Sequence, residues 1–529
     1  MNLLGTPQYI TVFCGEQKMQ IANESAIQFN DVNLTAVSTE KGLEINICAD
    51  QTPIDYIRLR WNLALPEDAM FAGDEWERSY GDLGFAPMNA NRMMPWYFIM
   101  HNNAFTMGCG VMVRGGAFAQ WTADPQGITL WLDVRSGTQG VLLNGRTLQA
   151  AVVVSDRWQN ISAFAAAKNL CKLMCNDPLL PKEPVYGGNN WYYAYGNISH
   201  ESVLDDSREI ASLSEGLPVR PFMVIDAGWE VMHGKPDNSG PWDRGNERFP
   251  DMRTLAAEMK TIGVRPGIWI RPLWSEDPSI PEEWMLARKG NNQVRYLDPS
   301  HPAVIDLIQT DIRRLVDWGY ELIKHDFTAF DIFGNWGKFF TPWPAQDKWE
   351  FHDKTRSSAE IIVDLYRAML EAAGDALILG CNTFGHLGAG LMHLHRIGDD
   401  TSGLRWDRTR KMGVNTLAFR LCQHKTFFDV DADCVGISRH VPAELNMQWA
   451  ELLAKSSTAF FAGITPGLMT AEERVTMRKL FELASCQKIK AEPLDLLYNT
   501  TPESWSFDSE IRKFSWYEDA GATMDFLPL

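Results

Sequence analysis

From residue 1 to about residue 175, apolar positions come in short alternating or β-branched stretches separated by turn residues, among them 9–13, 54–63, 127–134 and 150–154. A period of two puts one face of a strand in a core and the other in water. Many such strands at short spacing predict an all-β sandwich. A helical stretch at 163–174 follows, and Pro181 to Pro184 reads as a linker. An N-terminal β-sandwich domain is therefore expected over residues 1–178.

Beyond Pro184 the rhythm changes. Apolar runs of strand length at 185–193, 222–227, 265–270, 322–327, 376–381, 391–397, 427–430 and 459–463 alternate with amphipathic stretches. The latter lie at 202–213, 252–261, 302–318, 357–373, 406–422, 443–455 and 471–484. Repeated βα units of this kind build a parallel sheet, and eight of them predict a (β/α)8 TIM barrel over 184–485. The runs LDLLYN and KFSWYE predict a short C-terminal β segment over 486–529. The expected fold class is multidomain β plus α/β.

Composition narrows the function. A formal net charge of -18 without long acidic runs disfavours a nucleic-acid partner, because a phosphate backbone calls for basic patches. No run approaches the roughly 20 apolar residues that span a bilayer, and the first residues lack a signal pattern, so a soluble cytoplasmic protein with no membrane partner is expected. Nine cysteines without CxxC pairing point to buried thiols rather than disulfides or zinc. Twenty tryptophans exceed ordinary core needs; most are packing residues, and the excess hints at sugar faces.

In a TIM barrel the functional side chains sit at the carboxyl ends of the strands. Those ends read Asn189, Asn190 and Trp191; Asp226 and Trp229; Trp269 and Arg271; Lys324 and Asp326; Cys381 and Asn382; Arg396, Asp399 and Asp400; Asp431 and Asp433. A single acid there is most often a cap or an ion-pair partner, but so many on one face suggest chemistry. A retaining glycosidase needs two carboxyl groups about 5 to 5.5 Å apart, one to attack the anomeric carbon and one to protonate the leaving oxygen. Asp326 fits the first role, with Lys324 two residues earlier on the same strand face as a cation that favours its ionised form. Asp399 or Asp400 fits the second.

These motifs resemble the melibiase-like α-galactosidases of glycoside hydrolase families 36 and 27. The likeness runs through RFPDMRTLAAEMKTIGVRPGIWIRP at 248–272, YLDPSHP at 296–302 and IKHDF around Asp326, and reaches the amino-terminal half through GDEWERSYGDLGF at 73–85. It implies that Asp326 is the nucleophile of a glycosyl-aspartate double displacement. The run GDDT at 398–401 is similar to the family 36 motif whose first aspartate is the acid/base, which favours Asp399; counting four residues from Arg396, as in family 27, gives Asp400. Asp399 is the preferred assignment and Asp400 the alternative. DADCVGI at 431–437 resembles the family 27 strand-seven motif. By the same resemblance Asp226, Trp229, Trp269, Lys324, Cys381, Asn382, Arg396 and Trp191 are expected to bind substrate. Family 36 also implies a tryptophan contributed by the β-sandwich, for which Trp76 is the candidate.

Two departures bear on the sugar. Where the family has two adjacent acids after strand two, this chain has Asp226 and Ala227, so one sugar acceptor is missing. Around strand five, Gly380-Cys381-Asn382-Thr383 replaces a glycine- and serine-rich pattern. A glycosidase or transglycosidase for another sugar, and a catalytically silent carbohydrate-binding homologue, therefore stand as alternatives. His393 and His395, with His325 and Asp331, raise a metal-dependent hydrolase as a weaker rival. Two carboxylates need no metal or other cofactor, and none is expected. The expected partner is an oligosaccharide or glycoside, and family resemblance alone points to a homo-oligomer.

Overall fold

The computed structural model describes residues 3–231, 239–288, 295–486 and 488–522. Two antiparallel sheets, one of six strands and one of eight, occupy the amino-terminal part. Their sequences alternate as a half-buried sheet requires: in Tyr56–Asn62, Ile57, Leu59 and Trp61 are buried, and in Leu43–Cys48, Leu43, Ile45 and Ile47 are. The helix Ala163–Met174 is capped by Ser162, whose hydroxyl accepts the Ala165 N–H at 3.0 Å. It packs where Gly108 and Gly110 make room, since a Cβ on Gly110 would lie 2.4 Å from the sulfur of Met174.

The second half forms a parallel sheet. Its strands are β1 (Tyr186–Asn189), β2 (Phe222–Ile225), β3 (Arg265–Ile270), β4 (Leu322–His325), β5 (Leu377–Gly380), β6 (Leu394–Arg396), β7 (Asp429–Asp431) and β8 (Phe460–Ile464). Neighbours pair in parallel from β1 through β7, and β8 pairs with β1. A bridge between Asp431 and Ala459, with the Ala459 N–H 2.9 Å from the Val430 carbonyl, brings β7 to β8 and curls the sheet back on itself. Asp433, at φ 78°, breaks the seventh strand; the chain resumes at Val435–Ile437 and adds a ninth stretch beside β8. The architecture is TIM-barrel-like. Each strand overlaps the run expected for it, and the helices Pro302–Trp318 and Ala471–Ala484 coincide with theirs.

One helix departs from expectation. The stretch 406–422 is broken into Trp406–Thr409, a π turn Arg410–Asn415, Thr416–Arg420 and a 3-10 turn Leu421–Gln423. Two local demands account for the break. A Cβ on Gly413 would meet the Trp449 ring at 2.8 Å, and the Asn415 side chain reaches sideways to Leu83 and Thr500. Periodicity alone cannot register the extra residue that a π turn absorbs. The C-terminal segment forms a three-stranded antiparallel sheet, Ala491–Pro493, Ser504–Phe507 and Glu510–Lys513; residues 487 and 523–529 of it lie outside the described residues.

Strand parity decides what faces the barrel interior. Phe222 and Val224 of β2, Leu322 of β4, Leu377 and Leu379 of β5 and Leu394 of β6 form one buried cluster, separate from the core that joins strands to helices. Two residues further along each strand the same face presents Asp226, Lys324 and then Asp326, Cys381 and Arg396. The apolar interior is thus a floor beneath the polar mouth. Residues of opposite parity point outwards, and His325 packs against Tyr366 of the helix Ser358–Ala373, with neither ring nitrogen partnered among the described residues. Burial lowers its pKa from 6.5 to about 3.

A histidine held neutral in the fold but protonated when unfolded contributes stability that is full above its unfolded pKa and falls as pH drops below it. His325→Phe removes that proton linkage without removing a hydrogen bond. Relative to the parent, the variant should gain about 1.4 kcal/mol per pH unit between pH 6.5 and 4. Denaturant unfolding of both chains across that range reads the difference, and a constant difference would show that His325 is already charged in the fold.

Candidate active site

Asp326 follows β4 at a turn made by Phe327 in the left-handed region, φ 65°. The turn aims the Phe327 N–H at Asp326 Oδ1, 2.7 Å away, while the Trp269 indole on β3 donates to Oδ2 at 3.1 Å. Both oxygens are oriented and the side chain stays half-buried. Lys324 turns instead to Asp226, with Nζ 2.5 Å from Oδ2. Burial alone would lower the lysine pKa, but Asp226 beside it drives it well up. Asp226 is itself held by the Asn189 amide at 2.9 Å and gives its own N–H to Asn190 Oδ1 at 3.0 Å. Its neighbour Ala227 is buried and offers no side-chain acceptor.

The adjacent aspartates differ in their surroundings. Asp399 has one oxygen 2.9 Å from Arg78 and the other 2.8 Å from Arg408, with 13% of its side chain exposed. Asp400 places one oxygen 2.8 Å from Arg396 and 3.8 Å from Arg78, with 40% exposed. Burial opposes ionisation of Asp400, but Arg396 and then Arg78 outweigh it and hold its carboxyl down to about 2. Arg396 also pairs with Asp433 at 2.7 Å, and Asp433 in turn accepts from Tyr192 and from the Thr401 backbone and hydroxyl. Burial raises the carboxyl of Asp431, at the end of β7, to about 6. The buried Cys381 thiol ties the set together: burial and then Asp326 push its pKa up, while Arg396, Lys324 and Arg78 oppose them.

Arg78 comes from the sandwich half. Ser79 forms a parallel bridge with Gly398, just past β6, with the Ser79 N–H 2.9 Å from the Ile397 carbonyl and the Asp399 N–H 2.8 Å from that of Ser79. Arg420 fixes the segment before Ser79 from behind. It donates to Asp74 Oδ1 at 2.7 Å and to the carbonyls of Glu77, Ile397 and Glu75 at 2.7, 2.8 and 3.1 Å. Glu77, fully buried, accepts from Tyr80, from the Gly337 N–H at 2.8 Å and from the Asn382 amide. Arg78 then projects into the mouth, its guanidinium 4.9 Å from the centre of the half-buried Trp336 ring.

Several expected ligands do other work. Trp76 is only 3% exposed, locked among Trp96, Phe118 and Trp343, and cannot stack on a sugar. Trp229 is also buried, donates to the Trp269 carbonyl at 2.9 Å and packs on Trp242 and Trp318. Asn382, at φ 48°, spends its amide on Glu77 and on the Phe330 N–H at 3.2 Å. Trp269 is buried behind Asp326, which it orients. Trp191 is half-buried beside Tyr195 at the end of β1. Sequence reasoning missed Arg78, Arg408 and Trp336. The stretch GDEWERSYGDLGF does carry a signal for Arg78, as its one cation among four acids, beside an indole that is the more obvious partner for a sugar.

Among the described residues no cluster of three His, Cys, Asp or Glu side chains that could hold a metal ion occurs. The His393 ring accepts the Ile378 N–H at 3.1 Å and His395 lies 3.3 Å from the Thr383 carbonyl. No described helix is long and apolar enough to cross a membrane.

No protein-family profile matches the sequence, and no curated protein does. Solved structures do. The α-galactosidase of Thermus thermophilus, in complex with p-nitrophenyl α-D-galactopyranoside, gives a TM-score of 0.63 at 17% identity, covering 93% of this chain and 99% of that one. The chain has the fold of these enzymes. A variant of the family 36 α-galactosidase AgaA from Geobacillus stearothermophilus, in complex with 1-deoxygalactonojirimycin, gives 0.61 at 15% identity over 90% of this chain and 71% of that one. The galactosidase domain of the α-galactosidase-sucrose kinase AgaSK gives 0.61 at 16%, over 98% and 73%.

Removing Arg420 should be costly, because a buried charge left without its partner destabilises by about 3–5 kcal/mol. Arg420→Met strands Asp74, so its denaturation midpoint should fall accordingly. The double variant with Asp74→Asn should recover part of the loss, and equal stability of Arg420→Met and the parent would remove the clamp from the account.

Proposed function

We propose that this chain is a retaining α-glycoside hydrolase of the family 36 kind, with an N-terminal sandwich, a catalytic (β/α)8 barrel and a short C-terminal β segment. Asp326 is its nucleophile. The observation that carries this reading is the orientation of both Asp326 oxygens by Trp269 and the Phe327 N–H at the end of β4, two strands along the sheet from the β6 end that carries the paired acids. Attack on the anomeric carbon breaks the glycosidic bond and forms a glycosyl-aspartate while the acid/base protonates the departing oxygen; the acid/base then takes a proton from water, which releases the sugar with retention.

Geometry favours Asp400 over Asp399 as the acid/base. Each oxygen of Asp399 is paired with its own guanidinium, so a leaving group would have to share either oxygen with a cation. Asp400 keeps one oxygen outside the Arg396 pair and is the more exposed. Asp399 then positions Arg78 and Arg408 around the mouth. The Asp226–Lys324 pair and Arg396–Asp433 bind sugar hydroxyls, with Cys381 and Trp191 beside them and Trp336 as the apolar face. Solved relatives in complex with galactose-type ligands support the substrate class, but Ala227 removes an acceptor, so the linkage and mechanism are proposed more firmly than galactose itself.

A panel of aryl α-glycosides tests this. At least one should be cleaved, and Asp326→Ala should lower that rate by at least 10³-fold. Activity that survives Asp326→Ala, or a silent panel, would overturn the reading. The acid assignment has its own test: Asp400→Ala should spare dinitrophenyl glycosides, need azide to turn over fast, and lose unactivated substrates, whereas Asp399→Ala should weaken both kinds alike.

The pH dependence follows from the low pKa of Asp400. In the free enzyme its protonated fraction falls tenfold for each pH unit above about 2. So kcat/KM for a poor leaving group should decline as pH rises through neutrality, while that for a dinitrophenyl glycoside stays flat. Identical profiles for the two substrates would contradict the role given to Asp400.

A further inference from the structure

A cavity of about 290 Å³ opens beside the mouth, between the loop after β3, residues 241–243 and the helix Pro302–Trp318. Its walls combine three indoles, Trp242, Trp274 and Trp284, with the polar side chains of Asp243, Asp311 and Arg314. The proposed reaction uses none of them. Trp274 and Trp284 are half-buried and Asp311 is buried, so the cavity has aromatic sides and a fixed polar wall.

Its chemistry points to a neutral, hydroxyl-rich ring. The volume lies near the lower end of the range for small-ligand pockets, about 300–1,000 Å³, which suits a single ring. Indole faces cover the C–H faces of a pyranose, and carboxylate and guanidinium groups exchange hydrogen bonds with its hydroxyls. A cation is the poorer fit. Asp311 already holds Arg314, and the Trp274 ring already carries the Arg271 guanidinium 4.1 Å from its centre.

The cavity stands back to back with the mouth. Trp242 meets Trp269 edge-on with centroids 5.8 Å apart, and Trp269 is the residue that donates to Asp326. On the other side Arg271 lies between Trp274 and Phe327, 4.1 Å from each ring centre, and forms a buried pair with Asp331 at 2.5 Å.

We propose that this cavity is a second saccharide site, which takes one pyranose ring against Trp274 and Trp284 and holds a longer glycan beside the mouth. A second contact raises the effective concentration of chain ends at the first. The service to the mouth and the choice of test substrates rest on the glycosidase reading; the binding of a saccharide ring in this cavity does not.

The test uses the full chain carrying Asp326→Ala, so that no probe is consumed, with stachyose and maltotetraose as probes and titration calorimetry as readout. Two variants address the cavity in that background. Trp284→Ala removes a wall, and Ser279→Trp fills the space from an exposed lining position without removing any contact of the core. At least one probe should bind, and both variants should weaken a binding event at least tenfold. With Asp326 restored, Ser279→Trp should keep its rate on aryl glycosides within about twofold.

If the chain cleaves nothing yet the cavity variants still lose saccharide binding, the glycosidase reading fails and the second site stands. If Trp284→Ala does not fold, Ser279→Trp alone decides. Unchanged binding in Ser279→Trp, no binding of either probe, or cavity-dependent binding of tetramethylammonium in place of saccharide would overturn the proposal.

Discussion

The mouth of this barrel depends on Arg420. It is a buried guanidinium on the broken helix after β6, and its donors are divided between Asp74 and three backbone carbonyls on two parts of the chain. A charge buried so deeply is tolerated only when its donors are satisfied, and here they are satisfied by the segment that carries Arg78. The interaction therefore does more than join two halves. It sets Ser79 beside Gly398, just past β6, and that bridge brings Arg78 to Asp399 and Asp400. The fold places carboxylates at the strand ends; the sandwich supplies the cation that distinguishes them.

The resulting electrostatics are closely matched. Lys324 is paired with Asp226, Arg396 with Asp433 and Asp400, Arg78 and Arg408 with Asp399, and Arg271 with Asp331. Each cation of this set is paired with a carboxylate. Asp326 differs from the other acids in its donors, an indole and a backbone amide. Such donors orient a carboxylate without neutralising it, as a nucleophile requires. The same low-dielectric surroundings that strengthen these pairs give fixed dipoles their effect on a developing oxocarbenium charge.

Much of this was legible in the sequence, for physical reasons. The switch from a period of two to βα alternation marks the change of architecture, and parity along β2, β4, β5 and β6 singles out Asp226, Lys324, Asp326, Cys381 and Arg396, because an apolar residue two positions earlier, or four in the case of Asp326, reports the inward face. Four kinds of information were not. The π turn at Arg410–Asn415 is dictated by Trp449, Leu83 and Thr500, all distant in sequence. The work of Trp76 and Trp229 is decided by what packs on them, and an indole suited to a sugar is equally suited to a core. Arg78 acts across the boundary between halves, where no local pattern records a partner more than 300 residues away in Asp399, and Arg408 meets the same carboxylate from the broken helix. Trp336 lies in an irregular loop where neither parity nor period applies.

The central claim is a covalent intermediate on Asp326, and its most direct test is the mass of the protein after reaction with a 2-deoxy-2-fluoro α-glycosyl fluoride of the sugar that the chain cleaves, followed by peptide mapping. The account predicts a single added fluorosugar on the peptide that contains Asp326, with the α anomer as the first product seen by proton NMR in normal turnover. A label on another acid, or the β anomer appearing first, would contradict it.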